Sequence, residues 1–472
     1  MPPRPRNILF ICSDQQRFDA LGCNGAAHAR TPHLDGLASN GLNFHNHFVA
    51  NPVCSPSRGC IITGQHVTEH GLWANGCTLP THHSTIPQAL RDAAGYQTAH
   101  FGKLHLEPII RRTQPHAPYG FETCSVSEGD QQLLDDDHFR WLRTQHPDTF
   151  VQALEQMYTE GHAKAYTNCL PEPLTHSAFV TRQAVDWMQQ GRDSDRPFYL
   201  SVGYFDPHHA FNPCEPYASD FAEVDCGEPL VDEGAIKSKP PLYEQAYNMA
   251  RGVYGDPAKL AAIRRAYAAM CAHVDDCVGR LLTTLDKLGL AQDTLVVFTS
   301  DHGEMLGEHG LLWKGPWMLD DLLRVPLIMN IPGNPIGQHT ETGLTSAVDF
   351  FATFQAIAGI DPKHAEPSSG RPLLDHTLSR FPQGQHDYVL AEWEHPKRQD
   401  AASIRCIRTA THKLVHHANS DTGEFYCLND DPREQVNRYH DPDAADVRDV
   451  LYHTLHHHYL TRRPHQKHLG GW

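Results

Sequence analysis

Short β-branched or aromatic runs alternate with longer helical patterns through the first three quarters of the chain, and this alternation limits the architecture more than any other feature. Strand-like runs fall at residues 8–11, 97–101, 198–204, 294–299 and 325–331, and helical periodicity fills 84–94, 175–190, 257–288 and 346–358. The pattern predicts an α/β fold whose sheet is covered by helices on both faces. In such sheets ligands gather where the strands reach their carboxyl ends.

Composition narrows the function. With 472 residues and 40% hydrophobic content, the chain has material for a large core, which excludes disorder, collagen and coiled coil. Its 39 Lys plus Arg against 56 Asp plus Glu leave a net charge of −17, the wrong sign for a general nucleic-acid binder. No apolar run approaches the about 20 residues of a membrane helix, so no membrane partner is expected. The opening Met-Pro-Pro-Arg-Pro-Arg carries no secretory core, and a cytoplasmic location is expected. Thirteen cysteines without a CxxC pair predict mostly free thiols and no zinc ribbon. The 35 histidines predict a steep change of net charge around neutrality.

From about residue 387 the texture changes. Short strands at 388–393, 404–408, 413–415 and 424–426 predict a smaller antiparallel subdomain, and the turn-rich stretch 362–385 separates a catalytic domain, 1–375, from a C-terminal subdomain, 376–472. The polar segments 106–173 and 213–256 read as excursions from the sheet, places for substrate specificity. The apolar spacing within 451–460 predicts a docking helix whose histidines are solvated, in preference to a metal site.

The strongest local signal is Cys54-Ser55-Pro56-Ser57-Arg58, trailed by Thr63-Gly64. Ser55 and Pro56 suit the opening of a helix, which places residue 54 at an N-terminus whose free N–H groups favour negative charge. Taken alone, the pentapeptide is moderate evidence, and an ordinary helix start is the lesser reading. Asp14 follows the first strand, Thr31-Pro32-His33-Leu34-Asp35 comes soon after, and Asp301-His302-Gly303-Glu304-Met305-Leu306-Gly307-Glu308-His309-Gly310 lies far downstream. Together these resemble the two signatures of the sulfatase family in the alkaline phosphatase superfamily. The resemblance extends to the tail, through Arg408-Thr409, Lys413-Leu414 and Asp431-Pro432-Arg433-Glu434. It implies a large mixed β-sheet sandwiched by helices, alkaline-phosphatase-like, with the small C-terminal sheet appended.

The resemblance also implies the chemistry. Cys54 would be oxidised to formylglycine by a formylglycine-generating enzyme, and Asp14, Cys54, Asp301 and His302 would hold one divalent metal. Calcium is the family default, with Mn²⁺ or Mg²⁺ as alternatives. Many sulfatases carry a second Asp where this chain has Gln15, and His302 stands where others place Asn, which leaves open both metal identity and whether Gln15 ligates. One hydroxyl of the hydrated aldehyde, acidified by the metal and Arg58, would attack sulfur and expel the alcohol. Lys103 would touch sulfate oxygens, His105 would act as base on the hydrate, His208 as general acid, and Lys314 would pair with sulfate and the leaving oxygen. Asn75 resembles a polar neighbour of related sites and reads equally well as a turn residue.

The substrate implied is a small sulfate ester, and a homo-oligomer is a family-level expectation. The nearest rival is a phosphonate monoester or phosphodiester hydrolase of the same superfamily; the intact Lys103 with His105 favours sulfate. A rival of another class is a non-catalytic, His-rich metal-binding protein whose Cys54 is never converted. Aryl, sugar and choline sulfates all remain open as substrates. Trp73, Trp313 and Trp317 lie near the signatures and read as an aromatic wall or as ordinary core.

Overall fold

Strand β1 (Asn7–Ser13) is buried along its whole length, and successive side chains enter opposite cores. The computed structural model describes residues 5–108, 118–129, 136–161, 163–334, 336–374, 386–394, 403–418 and 420–461. Among these, no helix is long and apolar enough to cross a membrane. Leu9 and Ile11 pack with Leu34 and Leu37 of the helix Pro32–Ser39, Val180 of His176–Asp186, and Val274 and Val278 of the 31-residue helix Pro257–Lys287. Ile8 and Phe10 face the other way. They meet Ile61 and Ile62 of the helix Cys54–Thr63, Leu90 of Ile86–Ala94, and Phe350 and Phe354 of Asp349–Ile357.

The other strands of this part are β2 (Leu42–Phe44), β3 (His47–Phe48), β4 (Gln97–Gly102), β5 (Thr123–Val126), β6 (Phe198–Gly203), β7 (Thr294–Ser300), β8 (Leu327–Asn330), β9 (His339–Glu341) and β10 (Thr345–Ser346). The main sheet has eight strands in the order β5-β4-β6-β1-β7-β8-β2-β9, while β3 and β10 pair separately. It is mixed: β5 through β7 run parallel, and β8 is antiparallel to both of its neighbours.

Register places the ends of the central strands at one level. Gly102 pairs with Gly203, Cys12 with Gly203, and Ser13 with Ser300. Glycine is needed where β4 and β6 end side by side: a Cβ on Gly102 would lie 2.0 Å from the Gly203 carbonyl oxygen, and one on Gly203 would lie 2.2 Å from that of Lys103. The residues that follow these strands, Asp14, Lys103 and Asp301, therefore share one edge.

Some boundaries differ from the periodicity. The helix expected over 175–190 ends at Asp186 and continues as a π-turn, Trp187–Gly191. The segments read as polar excursions contain helices Asp137–Gln145, Pro147–Glu160 and Pro241–Tyr254. Two of these open on Pro, which fits the first helical position but reads as a loop from composition.

β11 (Tyr388–Glu394), β12 (Ser403–Thr409), β13 (His412–His417) and β14 (Glu424–Cys427) form an antiparallel meander. Leu390, Ile407, Leu414 and Phe425 face Leu451 and Leu455 of the terminal helix Ala445–Thr461, whose His453, His456 and His457 are exposed. Val389, Ala391, Cys406 and Val415 point the other way and join the core of the main sheet. The boundary expected between residues 375 and 376 lies outside the described residues.

Buried polar groups tie the small sheet to the rest. Lys413 pairs with Asp320 and with Glu434, and Lys239 donates to the Glu434 carbonyl at 2.7 Å. Glu424 accepts from Tyr243 at 3.0 Å, Tyr426 at 2.6 Å and His417 at 3.0 Å. Burial alone would raise the Glu424 carboxyl, but His417, Lys239 and Tyr426 outweigh it and hold the pKa at about 2, below the ordinary 4.5. Because the folded value is depressed, the ionised carboxylate stabilises the fold fully above about pH 4.5, and this contribution is lost as pH falls toward 2. Urea unfolding between pH 5 and pH 2.5 should show this loss, roughly 3 kcal/mol when complete. Glu424→Gln should flatten that acid limb; an unchanged acid limb would contradict the assignment.

Candidate active site

Two carboxylates meet at the carboxyl edge of the sheet with no solvent exposure. Asp14 leaves β1 and Asp301 leaves β7, one step beyond the Ser13–Ser300 register pair. Charges buried in this way are tolerated only when paired. Arg58, one turn into the helix Cys54–Thr63, sets Nε 2.7 Å from Asp301 Oδ2 and Nη2 3.7 Å from Asp14 Oδ2. Lys103, at the end of β4, reaches Asp14 Oδ2 at 2.5 Å, and Lys314 lies 3.9 Å from Asp14 Oδ1.

Cys54 opens its helix as the motif predicts, with Val53 in the extended N-cap conformation. Its sulfur lies 4.0 Å from Asp14 Oδ1 and 3.2 Å from His302 Nε2. Burial by itself would raise this thiol, yet Lys314, Lys103 and His302, with a hydrogen bond from His105, hold it well below its ordinary value. Burial and Cys54 would raise the Asp14 carboxyl, but Lys103, Lys314 and His208 hold it far below the carboxylate range. Asp14 and Cys54 in turn keep Lys103 charged against burial. An electropositive pocket has thus been built around residue 54.

Ligand atoms of Asp14, Cys54, Asp301 and His302 all lie within 4.8 Å of one another. Their chemistry fits a divalent cation. His302 gives its Nδ1 proton to the Gly303 carbonyl at 2.7 Å, which leaves Nε2 as the atom turned to the cluster. Burial would lower the His302 imidazole, but Asp301 and Cys54 outweigh it and raise it above its ordinary value. Asp14, Cys54, Asp301 and His302 are the four residues that the resemblance in the sequence brought forward, and folding places them together.

The remaining expected residues converge as well. His105 turns into the site at φ 55°, with its backbone N–H held by Glu128 Oε1 at 2.7 Å and its Nδ1 buried without a partner. His208 bonds Cys54 through its side chain and packs on Phe205 and His209. Asn75 lies 4.0 Å from the Cys54 sulfur and accepts from the Ser55 N–H at 3.1 Å, so it is a neighbour of the reacting position as well as a turn residue. Gln15 is engaged on three sides: its Oε1 accepts from Lys314 at 2.7 Å, its Nε2 meets Glu304, and its backbone N–H bonds Asp301 Oδ1 at 3.1 Å. Trp73 packs with Ala50, Cys60, Val67 and Val348, as a core residue.

Several supporting residues went unread in the sequence. Glu304 sits inside the downstream signature, fully buried, and accepts from the Leu306 N–H at 3.0 Å as well as from Gln15. His273 interrupts the apolar stripe of the helix Pro257–Lys287 between Met270 and Val274. It bridges Glu172 at 3.2 Å and Asp206 at 3.7 Å, and so anchors the turn that carries His208. Burial opposes its protonation, but Cys277, Asp206 and Glu172 raise it well above the ordinary value. A histidine on an otherwise apolar stripe was the available signal; Glu128 had none.

The family model for sulfatases matches residues 6–360, and the model for the C-terminal region of N-sulphoglucosamine sulphohydrolase matches 307–460. The multifunctional alkaline phosphatase superfamily protein PehA of Trinickia caryophylli is 29% identical over 95% of this chain and 94% of its own. An arylsulfatase of Clostridium perfringens is 28% identical over 91% of this chain and 89% of its own. Among solved structures, a phosphonate monoester hydrolase of Agrobacterium radiobacter superposes with a TM-score of 0.81 at 26% identity, covering 97% of this chain and 96% of that one. With its signatures joined at one sheet edge and its family model matched over more than half its length, the chain is an enzyme of the sulfatase family, in the alkaline phosphatase superfamily.

Proposed function

We propose that this enzyme hydrolyses small sulfate esters through an oxidised residue 54 and one divalent metal. The observation that carries the reading is the convergence of Arg58, Lys103 and Lys314 on a metal-sized group of Asp14, Asp301, His302 and residue 54. An anionic ester shields its central atom with negative oxygens, and preorganised cations remove that barrier. Asp14, Asp301, His302 and the oxygen of modified residue 54 would hold the metal. Calcium is the first assignment, and the imidazole of His302 also suits manganese. When bound, the cation neutralises ester oxygens and acidifies a hydroxyl beside it. Residue 54, matured by a formylglycine-generating enzyme, supplies two geminal hydroxyls, one to attack sulfur and one whose proton loss releases sulfate.

The side chains divide the remaining work. Lys103 and Lys314 hold the ester oxygens, and Arg58 orients residue 54 while it fixes Asp301. His208 gives its Nδ1 side to the His209 carbonyl, so Nε2 is the atom that exchanges a proton with the leaving oxygen. His105, with Nδ1 unpartnered, accepts the proton of the second hydroxyl. Likeness to a phosphonate monoester hydrolase supports a second reading, in which the same residues cleave phosphonate or phosphate diesters.

Parallel kcat/KM values on nitrophenyl sulfate and phenyl phosphonate separate the two readings. A large preference for sulfate is expected, and a large preference for phosphonate would overturn the first. Dialysis against a chelator should abolish turnover, and Ca²⁺ or Mn²⁺ should restore it. Lys314→Ala should lower kcat/KM by about 10²–10³-fold through lost charge neutralisation. His208→Ala should slow phenyl sulfate by about 10²-fold or more and nitrophenyl sulfate far less, because nitrophenolate departs without a proton. Equal losses on both esters would remove His208 from the acid role.

A further inference from the structure

Beside residue 54 the site opens into a cleft of about 580 Å³, bounded by several parts of the chain distant in sequence. The helix Pro241–Tyr254 lays Leu242, Gln245, Ala246, Met249 and Ala250 along it, spacings of three and one that form a single helical face. The loop after the downstream signature adds Trp313, Lys314 and Trp317, and β11 of the C-terminal sheet adds Trp393. Asn75, 4.0 Å from the Cys54 sulfur, and Lys314, bonded to Gln15, mark the end of the cleft that meets the reacting position. The leaving group of an ester held at residue 54 must occupy this space.

The walls specify its chemistry. Lys314 is the one charged side chain among the described residues that line the cleft, and it is already turned to the ester. Asn75 and Gln245 are the only side-chain amides there. A sugar presents a hydroxyl on nearly every carbon, and each needs a partner when buried. Two amides and a lysine do not meet that demand. A quaternary ammonium would find indole faces, but with no described carboxylate in the lining and Lys314 opposing it. A flat, uncharged ring is satisfied by Trp317, Trp393, Leu242 and Met249. Trp317 lies directly over Gly315, where a Cβ would come within 2.6 Å of the indole, so the glycine keeps the ring in place. Met249 is 62% exposed, an apolar side chain left bare at the mouth.

We propose that the cleft selects an uncharged aromatic leaving group, making aryl esters the substrate class, with Trp317, Trp393 and Met249 as the residues that set the preference. This rests on the hydrolytic reading above for where the ester sits. The test uses the mature, metal-loaded, full-length enzyme and two variants, Trp393→Ala and Met249→Lys, the second at an exposed position that tolerates change. For each, kcat/KM is measured on naphthyl sulfate, ethyl sulfate, choline sulfate and a hexosamine sulfate. The ratio of variant to parent on one ester cancels that ester's intrinsic reactivity. Both variants should lose about tenfold or more on naphthyl sulfate, with ethyl sulfate changed less than about twofold. Quenching of tryptophan fluorescence by naphthol, read without turnover, should saturate in the parent and in Cys54→Ala and should weaken in Met249→Lys.

Equal losses on naphthyl and ethyl sulfate, or higher parent activity on choline or hexosamine sulfate than on naphthyl sulfate, would overturn the aryl assignment while leaving the hydrolytic reading intact. Absence of turnover on every ester, with naphthol quenching preserved, would instead overturn the hydrolytic reading and leave the cleft's preference standing.

Discussion

Everything at this site follows from the burial of Asp14 and Asp301 side by side. Two adjacent carboxylates with no exposure would cost several kcal/mol each if unpaired. The offset must come from cations that no single element can supply, so Arg58 arrives from a helix, Lys103 from the end of β4 and Lys314 from a loop near residue 314. Their convergence depends on register. A slip of one residue between β1 and β7 would turn Ile8 and Phe10 into the wrong core and separate Asp14 from Asp301. The same alternation that builds the two cores thus sets the distance between the carboxylates.

The C-terminal sheet belongs to this arrangement as well as to the fold. Tyr243 stands on the helix that lines the cleft and bonds Glu424 of β14, and Lys239 just ahead of that helix bonds Tyr426 and the Glu434 carbonyl. The buried polar ties that hold the small sheet therefore also fix the helical face of Leu242, Ala246 and Met249. Trp393 closes the cleft from the sheet itself. Stability of the small sheet and the shape of the leaving-group wall are two readings of one set of contacts.

Legibility in the sequence followed locality. Strands with dense apolar runs, such as 8–11 and 294–299, and the long helix starting at Pro257 could be placed because their periodicity is continuous. The clustered residues Asp14, Cys54, Asp301 and His302 were legible because each stands in a short motif at a strand end or helix start. What periodicity hid was short or open at a proline: β2 and β9 have three residues each, and the cleft helix begins at Pro241. What no motif could show were pairs joined only by folding. Glu128 holds His105 across 23 positions, and His273 meets Asp206 at 3.7 Å from a separate helix. Trp393 became part of the cleft only through docking of a separate sheet.

Hydrolysis at this site requires residue 54 to be more than a thiol among cations. Mass spectrometry of the peptide that carries residue 54, taken from enzyme made in its native host and assayed for ester hydrolysis in the same preparation, tests this most directly. An aldehyde or its hydrate at residue 54, present in proportion to activity, is the predicted result. An unmodified cysteine together with full hydrolytic activity would contradict the account, because the sulfur itself would then have to carry the reaction.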